Sequence, residues 1–480
     1  MTLHQQSILA ALLGIMLLAR TVLASAERTV KSLMPTKYLL FQIFTYADQN
    51  FPPQDQTNAT VNDIVKRIGI KGDKSNKLGF AVGPLTLSHS DAQIHQLIAD
   101  SFRLAKEQNV AVAFHIDDNM FVEKRRDLLD DKSNIEWLDF KGTLCTGRRL
   151  DWGPQPTKIS PQICFNSAAV KDAVRKRAHF IGSEIKTELD KLRVNGKDDL
   201  FAGVISGWET QIGRDFVTNR CNGYHALHNA GLDAENTPSQ CEAALVKIVK
   251  EFMELSAKEL CLTGIPKDKI YSHIAFTSQG FGGGGEGFSY LQLVGYAPPE
   301  VAFSKYYLPG FSTYPSENAV DQIRHEVTKR DRQAWASCEG TNVVPNGVPG
   351  EAGMETYLGK MYNHGAVMVN IYSWGIGGDA NKKNLFRLAT ESSEALSAYQ
   401  KFLTGKVLHE SERSGSQFSV IRFQEKIHTI QKDLPSWVGK TGRPETIQPL
   451  MQQLDGLIKG QKFVEADKLA DKILKLISSK

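Results

Sequence analysis

The sequence predicts an α/β chain folded as a (β/α)8 TIM barrel, with long loops after strands three and four and a C-terminal helical appendage. Three observations predict it. Eight short strand-like runs alternate with helical patterns, as in a parallel α/β sheet, and eight units favour closure over an open sheet. The runs are mostly continuous in apolar residues, as strands buried on both faces are. The 480 residues, 41% hydrophobic and 23% charged, suffice for one barrel enlarged by insertions plus an appendage.

The N-terminus, residues 1–26, reads as a secretory signal. An apolar stretch over 8–18 is followed by Arg20 and a small-x-small site, Ala24-Ser25-Ala26. The stretch is too short for a comfortable membrane span. A secreted or periplasmic protein is expected, with no span left after cleavage. Asn58-Ala59-Thr60 is a glycosylation sequon, relevant only in a eukaryotic secretory route.

The barrel is expected over 34–405. Strand one is 38–46 (YLLFQIFTY) and a helix follows at 60–70. Strand two is 78–85. Ser90 caps a helix over 91–109, where Ile94, Leu97, Ile98 and Leu104 form an apolar stripe. Strand three, 110–117 (VAVAFHID), leads into a long polar and aromatic loop and a helix over 167–192. Strand four is 201–209, with a second long loop and a helix over 241–262 behind it. Strand five is 270–277, followed by a glycine run at 282–285. Strand six is 301–307 and its helix 316–328; strand seven is 333–339 and its helix 354–364. Strand eight, 366–374 (AVMVNIYSW), is followed by a closing helix over 384–404. Residues 406–444 read as a linker and packing segment, and 445–480 as a helical hairpin carrying Ile447, Leu450, Leu454, Phe463, Leu469 and Ile473 at helical spacing.

The net charge of +4 is small for this length, and no long basic stretch points to nucleic acid. Six cysteines fit an exported protein: Cys145 and Cys164 flank one long loop, Cys221 and Cys241 another, so local disulfides are expected there. Cys261 and Cys338 read as buried thiols.

Two residues carry the chemistry. Glu209 (GVISGWET) ends strand four and Glu339 (AWASCEGTN) ends strand seven. Catalytic groups of such barrels sit at the C-terminal strand ends. Two carboxylates facing one another can supply an acid and a nucleophile for glycosidic cleavage, provided their environments push their pKa values apart. This order of elements over 38–404 resembles the large clan of retaining (β/α)8-barrel glycoside hydrolases. The resemblance implies Glu209 as acid/base, Glu339 as nucleophile, Trp374 beneath the sugar, a carbohydrate substrate and no cofactor. The chain departs from that pattern at Trp208, where many members place an Asn.

Other candidates surround the pair. Trp208, Trp374, Tyr307 and Tyr372, with Tyr306, Tyr314 and Trp152, offer rings to apolar sugar faces. His115, Asp117, Asp118 and Asn119 end strand three and can read hydroxyls; His273 sits on strand five. His115 and Asp117 alternate to one side and are also metal-ligand types, but no third ligand stands at recognisable spacing. His225 and His228 are weaker ligands, and Glu286 is a third acidic candidate. Cys338 alternates away from Glu339 and is no nucleophile. The expected function is a secreted retaining glycosidase. The alternatives are a non-catalytic carbohydrate-binding barrel and an inverting or metal-assisted barrel hydrolase.

Overall fold

The computed structural model describes residues 35–44, 54–150, 156–275, 299–313, 317–331, 334–341, 353–374, 390–410, 420–459 and 463–478. The signal region, Trp152, Glu286, the 282–285 glycine run and Tyr314 lie outside these residues. Eight parallel strands run in the order expected of a barrel. They are β1 (Lys37–Phe44), β2 (Asn76–Leu85), β3 (Ala111–Ile116), β4 (Phe201–Ser206), β5 (Ile270–Ser272), β6 (Gly310–Ser312), β7 (Trp335–Gly340) and β8 (Ala366–Ile371). Each pairs with its sequence neighbours, and β1 pairs with β8. Closure comes between β5 and β6, where Leu308 N–H donates to Ile270 O at 2.9 Å and Ser312 N–H to Ile274 O at 2.9 Å. The chain is a (β/α)8 barrel.

Alternation along each strand sorts the side chains. Leu39, Phe41, Phe80, Val82, Val112 and Phe114 point outward into the main core, beneath the helices. Tyr38, Leu40, Ala81, Ala111, Ala113 and Ile205 fill the barrel interior, where small residues fit the narrow space. Gly310 is required where β5 and β6 meet, since a Cβ there would stand 1.9 Å from Ser272 O.

The surrounding helices are α1 (Gln54–Ile68), α2 (Asp91–Gln108), α3 (Ala168–Val194), α4 (Pro238–Leu262), α5 (Glu317–Lys329), α6 (Gly353–Tyr362) and α7 (Ser393–Leu403). Ser90 caps α2 in a reciprocal box with Gln93, and Thr237 does the same for α4 with Gln240. Strand six is displaced from its expected position. Residues 301–307 form the end of a 3-10 turn (Pro299–Ala302) and a loop, while the strand is the three-residue Gly310–Ser312. The apolar run is buried by packing Val301, Ala302 and Phe303 into the outer core rather than by pairing.

The long loops after β3 and β4 are tied together. Short antiparallel strands at Arg148–Leu150, Thr157–Ile159 and Arg214–Asp215 form one sheet. Glu136 Oε2 accepts backbone N–H bonds from Gly223 and His225 at 3.1 and 3.2 Å, anchoring one loop to the other. The two expected disulfides are not formed: all six cysteines are thiols. Cys164 Sγ donates instead to Asn166 Oδ1 at 3.2 Å, and Cys221 Sγ approaches Gly213 O at 3.6 Å.

At the C-terminus, α8 (Val420–Thr441) precedes the two expected helices, α9 (Pro444–Lys459) and α10 (Phe463–Ser478). Ile430, Ile447, Leu454, Ala466, Leu469 and Ile473 give the three helices a core of their own. No helix among the described residues is long and apolar enough to cross a membrane.

Candidate active site

The structure brings Glu209 and Glu339 together at the C-terminal mouth of the barrel. Carboxylate oxygens of both, and a ring nitrogen of His273, all lie within 4.8 Å of one another. Both glutamates are buried.

Local backbone geometry aims each carboxylate. Glu209 follows β4 by three residues and has φ +48°, the left-handed region that costs a non-glycine residue energy and clusters at functional sites. Glu339 follows Cys338, whose side chain fills the barrel interior. Consecutive residues of a regular strand face opposite ways. The β7 register shifts between Ser337 and Gly340 against β8, and between Ser337 and Glu339 against β6, which frees Glu339 from that alternation. Its carbonyl is fixed by Thr313 N–H at 2.7 Å, while Thr313 Oγ1 meets Ser337 Oγ and Tyr357 OH, each at 2.7 Å.

A hydrogen-bonded chain runs from Glu209 into the barrel. Ser312 Oγ lies 2.6 Å from Glu209 Oε1 and donates to it when it is ionised; His273 Nε2 lies 2.8 Å from Ser312 Oγ. His273 Nδ1 is 2.9 Å from His115 Nε2, and His115 Nδ1 is 3.3 Å from Gln42 Oε1. Asn370 Nδ2 donates to Gln42 Oε1 at 2.7 Å and to Cys338 O at 2.8 Å. Burial holds both imidazoles neutral: His273 is pushed down to about 3, and His115 falls well below its ordinary range, helped by His273.

The strand-three residues are enclosed. Trp208 stacks on the His115 ring at 3.8 Å and is itself buried. Asp117 Oδ1 accepts the N–H groups of Asn119 and Met120, closing a turn. Asp118 Oδ1 accepts from Asn119 Nδ2 and from Thr210 Oγ1, the residue after Glu209. Burial raises Asp117 to about 7 and Asp118 to about 6, with the buried Arg148 guanidinium opposing both. Arg148, which no sequence pattern marks, donates to Asn119 Oδ1 and to Gln162 Oε1 at 2.8 Å, and its own pKa is lowered to about 10 by burial. These groups are buried, and their hydrogen bonds hold the mouth together.

Two aromatic assignments are corrected. Trp374 has no exposed surface: strand eight stops at Ile371, and the indole turns into the core, edge-on to Phe41, with Nε1 donating to Asp63 Oδ2 at 2.9 Å. Tyr307 precedes β6 and is buried, its hydroxyl donating to Val301 O at 2.6 Å. Tyr372, just past the end of β8, is partly exposed and stands edge-on to Phe44 at 5.1 Å.

The metal alternative needed a third ligand beside His115 and Asp117. Those two do not converge: His115 joins His273, and Asp117 caps a turn. Among the described residues the cluster of ligand types is Glu209, His273 and Glu339. There His273 Nε2 meets Ser312 Oγ at 2.8 Å and lies 3.8 Å from Glu339 Oε2. Ser312, Gln42 and Asn370 were not found from sequence. No spacing marks a serine on a three-residue strand.

No protein-family model matches the sequence, and none of the curated proteins does. Solved structures of similar shape include the catalytic domain of a β-amylase from Paenibacillus polymyxa, at 9% identity and TM-score 0.47, covering 78% of this chain and 99% of that one. A β-galactosidase from Halorubrum lacusprofundi is similar at 12% identity and TM-score 0.46, covering 76% of this chain and 57% of that one. A sugar phosphate isomerase/epimerase from Parabacteroides distasonis is similar at 9% identity and TM-score 0.36, covering 78% and 97%. At such distances the chemistry must be argued from the side chains.

Proposed function

We propose that the chain is a retaining glycoside hydrolase acting on an oligo- or polysaccharide. The observation that carries this reading is the approach of the Glu209 and Glu339 carboxylates to within 4.8 Å at the C-terminal mouth of the barrel. Retaining enzymes hold their two carboxyl groups roughly 5–5.5 Å apart, and inverting ones roughly 6.5–9.5 Å, to admit a water. Two carboxylates this close repel one another when both are ionised, which favours a pair sharing one proton.

In the first step Glu339 attacks the anomeric carbon, while Glu209 gives its proton to the departing oxygen. In the second, Glu209 takes a proton from water, and the water oxygen displaces Glu339. Tyr372, partly exposed just past the end of β8, is the ring we assign to an apolar sugar face. Export rests on the 8–18 apolar stretch and Ala24-Ser25-Ala26, and N-terminal sequencing of secreted protein tests it. The reaction is tested by a screen of aryl glycosides with plant and algal glycans, following the first-formed anomer by proton NMR. Retention supports the reading. Inversion, or no turnover with tight glycan binding, overturns it.

A further inference from the structure

The chain from Glu209 through Ser312, His273 and His115 to Gln42 has a direction. A neutral imidazole carries one N–H and one lone pair, so each link fixes the next. The far end is held by the main chain. Asn370 Nδ2 faces Cys338 O and Gln42 Oε1, and Gln42 Nε2 faces Ile43 O at 3.1 Å and Gly83 O at 3.5 Å. These contacts orient the Gln42 amide with its oxygen towards His115.

From that end the order propagates. A hydrogen bond at 3.3 Å between His115 Nδ1 and Gln42 Oε1 requires the proton on Nδ1, leaving Nε2 as an acceptor. His273 must then donate from Nδ1 across the 2.9 Å contact, leaving its own Nε2 as an acceptor. The Ser312 hydroxyl fills that acceptor at 2.8 Å. The serine oxygen, 2.6 Å from Glu209 Oε1, is then satisfied by a proton on the carboxyl.

We propose that Ser312, His273, His115 and Gln42 are positioning residues whose ordered hydrogen bonds hold the proton on Glu209, so that Glu209 rather than Glu339 enters the reaction as the acid. This rests on the glycosidase reading of the same site. When Glu209 gives up its proton, the Ser312 hydroxyl rotates to donate to the carboxylate, and no proton leaves either imidazole. His273 Nε2 then loses its donor in the barrel interior, an unsatisfied buried group that penalises only the ionised form. The opposite order would use the Glu209 N–H, 3.4 Å from His273 Nδ1, but would set the bare His115 Nδ1 against Gln42 Oε1. An amide contact of 3.4 Å is at the outer limit of hydrogen bonding and offsets less than that opposition costs.

Among the described residues, the charged and titratable groups facing Glu209 include Glu339 on β7, His273 beyond β5 and Arg148 from the loop after β3; Asp118 is hydrogen-bonded to Thr210, one residue away, and Ser312, on β6, does not titrate.

Two experiments decide. In resting protein labelled with 15N-histidine, with signals assigned through His115→Asn and His273→Asn, both rings should carry their proton on Nδ1 near neutral pH. A proton on Nε2 of His273 overturns the proposal. In Ser312→Ala the bare His273 nitrogen burdens both forms of Glu209 equally. The alkaline limb of kcat/KM should therefore move down in pH, with Ser312→Thr restoring it. An upward move, the result expected if Ser312 merely donates to the carboxylate, overturns it. The NMR measurement needs no substrate. A failure of the glycosidase reading would show as absent turnover with the tautomers as expected, and a failure of this proposal as the wrong tautomer in an active enzyme.

Discussion

The Glu209 and Glu339 carboxylates approach within 4.8 Å although they come from opposite sides of the barrel wall, one beyond β4 and the other at the end of β7. Neither position is reached by regular strand geometry. Glu209 needs a left-handed residue and Glu339 a broken register. Two local irregularities converging on one point argue for a site rather than for packing.

The roles of the pair separate by substitution. Glu339→Gln should abolish turnover on natural and activated substrates alike, because the covalent intermediate needs its carboxylate. Glu209→Ala should retain the first step for substrates with good leaving groups, and added azide should release a glycosyl azide of retained configuration. Steady-state rates and product NMR check this. Equal loss on every substrate without azide rescue would count against Glu209 as the acid/base.

Tyr372 and Trp374 should respond in opposite ways. Tyr372→Ala removes a partly exposed ring and should lower kcat/KM about tenfold, the order of one stacking contact, with little change in Tm. Trp374→Phe removes a buried ring edge and the bond to Asp63, and should cost about 1–3 kcal/mol of stability. Thermal denaturation beside kinetics separates the two. A binding defect confined to Trp374→Phe would restore the sequence-based assignment.

That pair shows where sequence legibility ends. The eight units and the two strand-end glutamates were readable because periodicity and chain order carry them. Residues 372 and 374 share a side in any continued strand, but the strand stops at Ile371, and nothing local marks that stop. The 301–307 run reads as a strand because apolarity signals burial and not pairing, while the strand itself, Gly310–Ser312, is too short for a period. The link between His115 and His273 joins side chains of separate βα units, so no local window contains it.

Gly340, beside Glu339, should tolerate no side chain. A Cβ there would stand 2.0 Å from Thr313 Oγ1 and 2.2 Å from Tyr357 OH. Gly340→Ala must therefore push apart the groups that fix the Glu339 backbone. A shift of about 1 Å at a reacting group can cost on the order of 100-fold in rate. The expected result is a fall in kcat of about that size, with about 1–3 kcal/mol lost in stability from overpacking. Unchanged kcat in a folded variant would show that the Thr313 and Tyr357 contacts do not position Glu339.

The carboxyls beneath the mouth should contribute a loss of stability as pH rises from about 4 to about 7, opposed over the same range by the buried neutral His115 and His273. Asp117 is raised to about 7 and Asp118 to about 6, both by burial, from ordinary values near 4 in the unfolded chain. Between those limits the two folded carboxyls hold protons that the unfolded chain has released, so their contribution to the slope of unfolding free energy with pH is negative. The stabilisation is fully present below the unfolded pKa and is lost as pH passes the folded one. Asp117→Asn mimics the protonated carboxyl, and its Oδ1 still accepts the Asn119 and Met120 N–H groups. The variant should match the parent near pH 4 and exceed it at pH 8, where Asp117 in the parent is ionised and buried. Urea denaturation at the two pH values checks this. A variant weaker than the parent at pH 8 would mean that the ionised carboxylate is held by Arg148 strongly enough to outweigh its burial.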